Sequence, residues 1–464
     1  MFAFVPRIGR AREVIDDVSR LNATEIAALI RVSSAEAVRE VLGRAADSKL
    51  RVSMAGARHS QGGHIANAGG ITLDMRALNR VVSVDETRKT ALVQPGATWD
   101  DVQRAVNPLG LAVAVQQASN VFTVGGSIAV NCHGRDPRYG CLVETLRAIT
   151  LVLADGRVVT ASRTENSELF AATVGGYGMT GVVLQAELVL EEDRWLDKRV
   201  TALRIDEYVP WLTERVLVNA QSRPSIELHF ARPSIRSKDF LDRIIVADYS
   251  RTPEDRAAHG ALRQERHIAV NKTMLALSRS GETGKAVRWY LQEALADRPG
   301  STERISRNNA MRPEVRFLDY HSPRDTDILQ EYFVPLREFA SFMRDLKRIV
   351  RRRKVNLLSV TLRMVKLDSI TVLNYARGDM VAVVLYMNVS RSDADQRDNA
   401  AWTRELVDSA LAAHGTYYLP YQRWPMREQF ESCYPRATEL LALKKRWDPD
   451  ARFSSRWVAQ YFGV

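Results

Sequence analysis

The chain has 464 residues, 45% of them apolar and 26% charged, with a formal net charge of +11. That length exceeds what one hydrophobic core usually supports, so two domains are expected, and the composition is that of an ordinary globular protein rather than a disordered or fibrous one. No apolar run approaches the ~20 residues needed to span a bilayer, and Cys132, Cys141 and Cys433 are too few for a disulfide framework and lack metal-ligand spacing, so no metal is expected.

In chain order, the opening Met1 to Arg7 (MFAFVPR) is too short for a signal-peptide hydrophobic region and has no evident cleavage site, which predicts a cytoplasmic chain. Residues 1–21 read as an N-terminal extension. Residues 34–48 have helical spacing, with Ser34 as N-cap and Glu36 in the first turn. Residues 51–55 alternate as a strand into the loop Gly56-Ala57-Arg58-His59-Ser60-Gln61-Gly62-Gly63. This β-α-β start lacks the Gly-x-Gly-x-x-Gly fingerprint of the doubly wound dinucleotide fold. A short strand and turn follow at Ile71 to Val81, and a strand, turn and helix start at Leu92 to Trp99. The turn Gln117-Ala118-Ser119-Asn120 precedes a second glycine loop, Val124-Gly125-Gly126-Ser127-Ile128-Ala129, which runs on to Cys132-His133-Gly134. Residues 145–160 read as two strands joined at Asp155-Gly156, and a third glycine cluster, Gly175 to Gly181, leads into a strand over 182–191. Glycine lets backbone N–H groups come close to a phosphate, so these loops point to a nucleotide cofactor.

The order of these blocks resembles the vanillyl alcohol oxidase family of flavoproteins over roughly residues 22–195. The resemblance implies an α+β fold: a PCMH-type FAD-binding domain of two α/β subdomains over 22–195, an α+β cap (substrate) domain with an antiparallel sheet over 196–430, and a C-terminal segment, 431–464, that returns to the FAD domain. Gly56, Ala57, Arg58, His59 and Ser60 would face the flavin. In sugar-alcohol, aldonolactone and cytokinin oxidising members, a histidine before serine in this loop is bonded covalently to the flavin, and Arg58-His59-Ser60 matches; the other reading has His59 merely packed near the ring. His64 reads as an ordinary loop histidine. Gln117, Ala118, Ser119, Val124, Gly125, Gly126, Ser127 and Ala129 would line the pyrophosphate, with backbone N–H groups and the Ser119 hydroxyl as donors. Gly181 and Val182 would flank the adenine side, and Tyr418 is a further cofactor-side candidate. His133 has two readings, structural or as a donor to flavin or substrate, since histidine titrates near neutrality. Cys132 reads as a space-filler.

Beyond residue 196, strand-like runs at 224–231 and 240–248 precede a basic helical stretch at 251–296, interrupted near Gly281 and Gly284. Strands at 329–334, 357–365 and 380–389 alternate with helices at 336–354 and 396–413, a pattern suited to a covering domain. The strand containing Glu331 resembles one that places Gln or Glu over the flavin, and an apolar pocket would raise its pKa and suit it to act as a base. Arg363 matches a basic pocket residue of decaprenylphosphoryl-ribose oxidases, or is a surface residue of a half-exposed strand. Tyr421 stands where those enzymes have a catalytic lysine, so their substrate does not carry over.

Residues 251–316 hold thirteen Lys/Arg against eight Asp/Glu, and residues 344–354 hold seven against one. Solvated helix faces are one reading, and attraction to anionic lipid at a membrane surface or to a phosphorylated substrate is the other. No nucleic-acid module is present, and no nucleic-acid partner is expected. The function expected is FAD-dependent oxidation of a CH–OH group in a sugar, polyol or related alcohol, with oxygen or another acceptor regenerating the flavin and with Glu331, His133 and Tyr421 handling the hydroxyl proton. The alternatives are a lipid-linked-sugar oxidase or dehydrogenase, and a flavin-binding protein without turnover.

Overall fold

A computed structural model describes residues 13–217, 226–252, 260–296 and 298–464. The Met1 to Arg7 reading, the first two residues of the 224–231 strand and part of the 251–296 helical stretch lie outside the described residues.

The chain begins with a hairpin of β1 (Glu13–Ile15) and β2 (Thr24–Ile26). β3 (Ala28–Arg31), β4 (Val52–Ala55) and β5 (Ile71–Asp74) then form a parallel sheet in the order β3-β5-β4. Between β3 and β4 runs α1 (Ala35–Asp47), capped by the Ser34 side chain, which accepts from the Ala37 N–H at 3.1 Å. Its Val38, Val41, Leu42 and Ala45 recur at helical spacing and are buried against Val52, Ile71 and Leu73 of the sheet.

A second sheet is antiparallel: β6 (Val81–Asp85), β7 (Thr90–Val93), β8 (Leu111–Val113), β9 (Leu146–Val152), β10 (Val158–Ser162) and β11 (Val182–Glu192) lie in the order β10-β9-β11-β7-β6, with β8 also on β11. Between these strands run α2 (Trp99–Val106), which opens on a Thr98/Asp101 capping box, the short α3 (Val124–Ala129) and α4 (Ser167–Thr173).

The later half of the chain builds a larger antiparallel sheet from β12 (Trp195–Arg204), β13 (Ile226–Pro233), β14 (Arg243–Arg251), β15 (Thr302–Ser306), β16 (Asp325–Pro335), β17 (Leu357–Val365), β18 (Met380–Ser390) and β19 (Thr416–Tyr417). Among the described residues its order is β15-β12-β14-β13-β17-β18-β16-β19. Its helices are α5 (Tyr208–Leu212), α6 (Ile268–Ser280), α7 (Glu282–Leu291), α8 (Arg307–Ala310), α9 (Phe339–Arg352) and α10 (Asp393–Ala412). α9 and α10 cover one face of the sheet, and α9 buries Phe339, Phe342, Met343, Leu346, Ile349 and Val350 there. Several basic residues in and just after it are paired: Lys347 with Asp242, Arg348 with Asp345, Arg352 with Glu405, and Arg353 with Asp398 and Glu405.

The basic helical stretch is shorter than its composition predicts, because residues 260–267 are not helical and α6 starts at Ile268. Of the two expected interruptions only Gly281 breaks the chain, at φ 146°. Gly284 lies inside α7, where a Cβ would meet the Leu277 carbonyl oxygen at 1.8 Å, so it permits a close helix crossing rather than a turn.

Of the tail helices, α11 (Arg427–Cys433) packs on α10, while α12 (Ala437–Trp447) packs on α4 and α13 (Arg456–Phe462) is tied to the first half by the Arg456 N–H, which donates to the Ala66 carbonyl. The Val52 N–H donates to the Arg452 carbonyl at 2.7 Å, and the Ser454 N–H to that of Val52 at 3.0 Å. The buried Lys444 ammonium donates to Asp448, Met179 O and Phe453 O, which fixes that return. A second tie between the halves is Arg307, fully buried, which bonds Asp136 at 2.8 Å, Glu227 at 3.1 Å and the Ala114 carbonyl at 2.8 Å. No described helix is long and apolar enough to cross a membrane.

Candidate active site

The uncovered face of the large sheet roofs a cavity of about 770 Å³ whose floor is the glycine loops. Strand alternation selects the roof: Phe230 and Arg232 of β13, Ser359, Thr361 and Arg363 of β17, Val384 and Tyr386 of β18, and Leu329 and Glu331 of β16 all face it. The floor is Gly56 to Ser60, Gln117 to Ser119, Gly125 to Val130, Gly181 and Val182, with Ser454 and Ser455 from the returning tail. Every site residue anticipated from the sequence lines this cavity except Val124.

Val124 is a core residue with no exposed surface, and its N–H donates to the Ala97 carbonyl at 2.8 Å. The Gly125 N–H is likewise committed, to Pro95 O at 2.8 Å, so neither amide is available to a pyrophosphate as the glycine pattern suggests. The polar ends of Gln117 and Ser127 are also engaged, with each other at 2.5 Å and with the Trp99 indole N–H at 3.2 and 3.0 Å. The glycines serve instead as contact points. A Cβ on Gly56 would lie 2.1 Å from Thr123 Oγ1, and one on Gly125 2.6 Å from Pro95 Cβ.

At the meeting of floor and roof, His133 Nε2 lies 2.6 Å from Glu331 Oε1, and the Tyr421 hydroxyl donates to Glu331 Oε2 at 3.1 Å. Both His133 and Glu331 have side chains 3% exposed. Burial alone would raise the Glu331 carboxyl, as the apolar-pocket argument expects. His133, then Arg363 and the Tyr421 hydroxyl, outweigh burial, and its pKa lies below the ordinary carboxylate value. The carboxylate is therefore ionised, both oxygens accept hydrogen bonds, and His133 Nε2 carries the proton it donates. His133 Nδ1 has no hydrogen-bond partner. Burial and the neighbouring Glu331 push the Tyr421 phenol well above its usual range, so it stays a neutral donor. Tyr418 points its hydroxyl away, to the Val130 carbonyl at 2.9 Å, and contributes its ring beside His133.

The turn that carries His133 is braced from outside the cavity. Asn131, at φ 45°, donates to Asp368 at 2.9 Å and accepts from the Val143 N–H at 3.0 Å, and the Tyr375 hydroxyl donates to the Asn131 carbonyl at 2.7 Å. Cys132 is fully buried in the core and does not line the cavity; burial pushes its thiol up to about 12.

His59 lies against Phe122, ring centroids 4.6 Å apart, and burial lowers its imidazole to about 4. His64 is buried against Tyr177 and Trp457, with ring centroids 5.2 and 5.4 Å away, and its pKa is pushed down to about 3 by burial. It is thus a packed neutral ring rather than an ordinary loop histidine.

Residues 26–162 match the FAD binding domain family. The chain therefore carries an FAD-binding domain. It is 34% identical over 169 residues to decaprenylphosphoryl-beta-D-ribose oxidase of Mycolicibacterium smegmatis, covering 36% of this chain and 37% of that one. It is 33% identical over 156 residues to L-gulonolactone oxidase of Bos taurus (34% and 35%), and 30% over 162 residues to cytokinin dehydrogenase 2 of Arabidopsis thaliana (34% and 32%). Each match thus spans about a third of the relative's length.

The residues present fit FAD. The floor is a glycine-cradled trough where added side chains would collide with backbone and Thr123, and the buried Arg58 Nε, His59 Nδ1 and Arg363 Nε along the cavity have no hydrogen-bond partner. Loop 56–60 and the Ala118-Ser119 turn could hold the cofactor, with the roof left for a substrate.

Sequence reading missed the residues brought in from afar: Tyr177 and Trp457 around His64, Phe122 on His59, and Arg135, Phe230, Arg232 and Arg288 in the wall. Only the alternation of Phe230 with Arg232 in β13 carried a local signal for any of them.

Proposed function

We propose that this protein is an FAD-dependent oxidoreductase, of the vanillyl alcohol oxidase type, that oxidises a CH–OH group of a sugar, polyol or related alcohol. The observation that carries the reading is the buried His133–Glu331–Tyr421 unit, with Arg363 beside it, facing the glycine-loop floor. FAD, when bound, supplies a hydride acceptor at N5 and is returned to its oxidised form by oxygen, giving peroxide.

The chain's own part is to orient the alcohol and take its proton. Ionised Glu331 is the acceptor for the hydroxyl proton, and His133, joined to it through Nε2, orients the carboxylate. Tyr421 holds the second carboxylate oxygen, so the pair does not rotate. Arg363 supplies positive charge toward the alcohol oxygen as it loses its proton. The roof strands exclude water from this end of the cavity.

The reading includes covalent attachment through His59, which the neutral imidazole and its partnerless Nδ1 support, since only the unprotonated ring is nucleophilic. The two small sheets would be the two subdomains of the FAD-binding domain, and residues 196–430 the cap.

The test is anaerobic mixing of the yellow protein with a panel of polyols, sugars, lactones and aromatic alcohols while flavin absorbance is followed. Bleaching by a polyol or sugar is expected. Bleaching by aromatic alcohols alone, or by none of the panel, would reject the assignment.

A further inference from the structure

His133 owes its place to the tight turn that follows α3. Asn131 is left-handed there, a conformation that asparagine tolerates better than most side chains but that still has to be held. The floor supplies one restraint, the Val143 N–H that donates to Asn131 Oδ1 at 3.0 Å. Two more come from the second half of the chain: Asp368 Oδ2 accepts from Asn131 Nδ2 at 2.9 Å, and the Tyr375 hydroxyl donates to the Asn131 carbonyl at 2.7 Å.

Asp368 is fully buried and built for that contact. Its Oδ1 accepts from the Ile370 and Thr371 N–H groups at 2.9 and 3.0 Å, and the Thr371 hydroxyl donates to Oδ2 beside the Asn131 amide. Asp368 is thus fixed by its own loop and offers the floor a preset acceptor. Tyr375 is buried too, with the Thr416 hydroxyl donating to its carbonyl at 2.7 Å. Its ring lies 4.3 Å from that of Phe333 and 6.0 Å from the His133 imidazole.

Both residues sit on the loop that joins β17 to β18. These strands share a cross-strand row with Glu331, since Thr361 pairs with Val384 and Val384 with Glu331. One sheet therefore carries the carboxylate and, through its loop, grips the turn that carries the imidazole.

We propose that Asp368 and Tyr375 are positioning residues for the proton acceptor, holding Asn131 so that His133 Nε2 stays on Glu331. The inference rests on the function proposed above and adds to it residues that do not line the cavity.

The experiment reads the hydrogen bond itself, by nuclear magnetic resonance of the protein isotope-labelled in its histidines. The Nε2 proton of His133, buried against a carboxylate, gives a downfield resonance, assigned as the one lost in Glu331→Gln. The buried His229, whose Nδ1 lies 2.6 Å from Asp248 Oδ1, gives a second that reports an intact fold. In Asp368→Asn, either orientation of the amide turns a donor toward donors, the Asn131 amide on one side or the Ile370 and Thr371 N–H groups on the other. The His133 resonance is expected to shift and broaden while that of His229 stays, and flavin reduction at saturating substrate to slow about tenfold. Asn131→Asp/Asp368→Asn reverses donor and acceptor across the same gap and keeps an acceptor for the Val143 N–H, so it should return both the resonance and the rate. Tyr375→Phe removes only the hydroxyl, should move the resonance the same way, and decides the matter should Asp368→Asn fail to fold.

An unmoved His133 resonance in the folded single variants, or no recovery in the double variant, overturns the proposal. A moved resonance with an unchanged reduction rate overturns the positioning role and leaves the alcohol-oxidising reading standing. A moved and recoverable resonance in a protein whose flavin no alcohol bleaches keeps the hold on His133 and rejects that reading.

Discussion

His133 and Glu331 lie 198 residues apart in the chain and 2.6 Å apart in the fold, one on the floor loop and one on the roof strand. That contact makes the two halves of the protein one site: the floor supplies the imidazole and the roof the carboxylate.

Glu331→Gln replaces the ionised proton acceptor by a neutral amide. Flavin reduction by the best substrate of the panel is expected to slow by roughly 10²–10⁴-fold in stopped flow, with the oxidised spectrum of the resting protein unaltered. A rate within a few-fold of the parent would take Glu331 out of the chemistry.

If His59 carries the flavin covalently, colour stays with the protein pellet after acid precipitation, and His59→Ala releases it to the supernatant. Colour in the supernatant from the parent protein would show that the imidazole only packs beside the ring.

Gly56→Ala drives a methyl against Thr123 Oγ1, at 2.1 Å in the parent backbone. A loss of about 1–3 kcal/mol in stability is expected from such overpacking, together with weaker FAD retention. Thr123→Ala in the same chain removes the nearest atom and should restore part of both, measured by thermal melting and flavin content. No rescue would mean that the glycine is needed for its backbone and not for the close approach.

Arg307→Met leaves Asp136 and Glu227 buried without their shared cation. Stability measured by urea unfolding is expected to fall by about 3–5 kcal/mol. A loss below about 1 kcal/mol would indicate that Arg138, which also reaches both carboxylates, suffices.

His64 sets a pH dependence whose sign is fixed. Its imidazole is held to about 3 in the fold by burial, against about 6.5 in the unfolded chain. Unfolding therefore takes up a proton below pH 6.5, and the contribution of His64 to stability is lost as pH falls from there toward 3. His64→Phe keeps a ring against Tyr177 and Trp457 and should flatten the decline of melting temperature between pH 6 and pH 4. An unchanged slope would assign that decline to other groups.

The local elements were legible because their physics is local. The Ser34 cap, the period of α1 and α9 and the alternation of β11, β16, β17 and β18 each lie within one short window, and the structure repeats them within a few residues. The glycine loops were legible as places of close approach, because a Cβ at Gly56 or Gly125 would collide with Thr123 or Pro95, and residues 26–162 match the FAD binding domain.

What the sequence by itself determined is thus many of the local elements and the FAD-binding character of the first part of the chain. The sign of the Glu331 shift was beyond it, because an apolar pocket alone raises a carboxyl and only the approach of His133, Arg363 and Tyr421 reverses the direction. The same holds for Val124 and Gly125, whose amides were spent on Ala97 and Pro95, and for the ring of cations about Phe230. Electrostatic terms depend on distances between segments far apart in the chain, and the tertiary structure alone sets those distances.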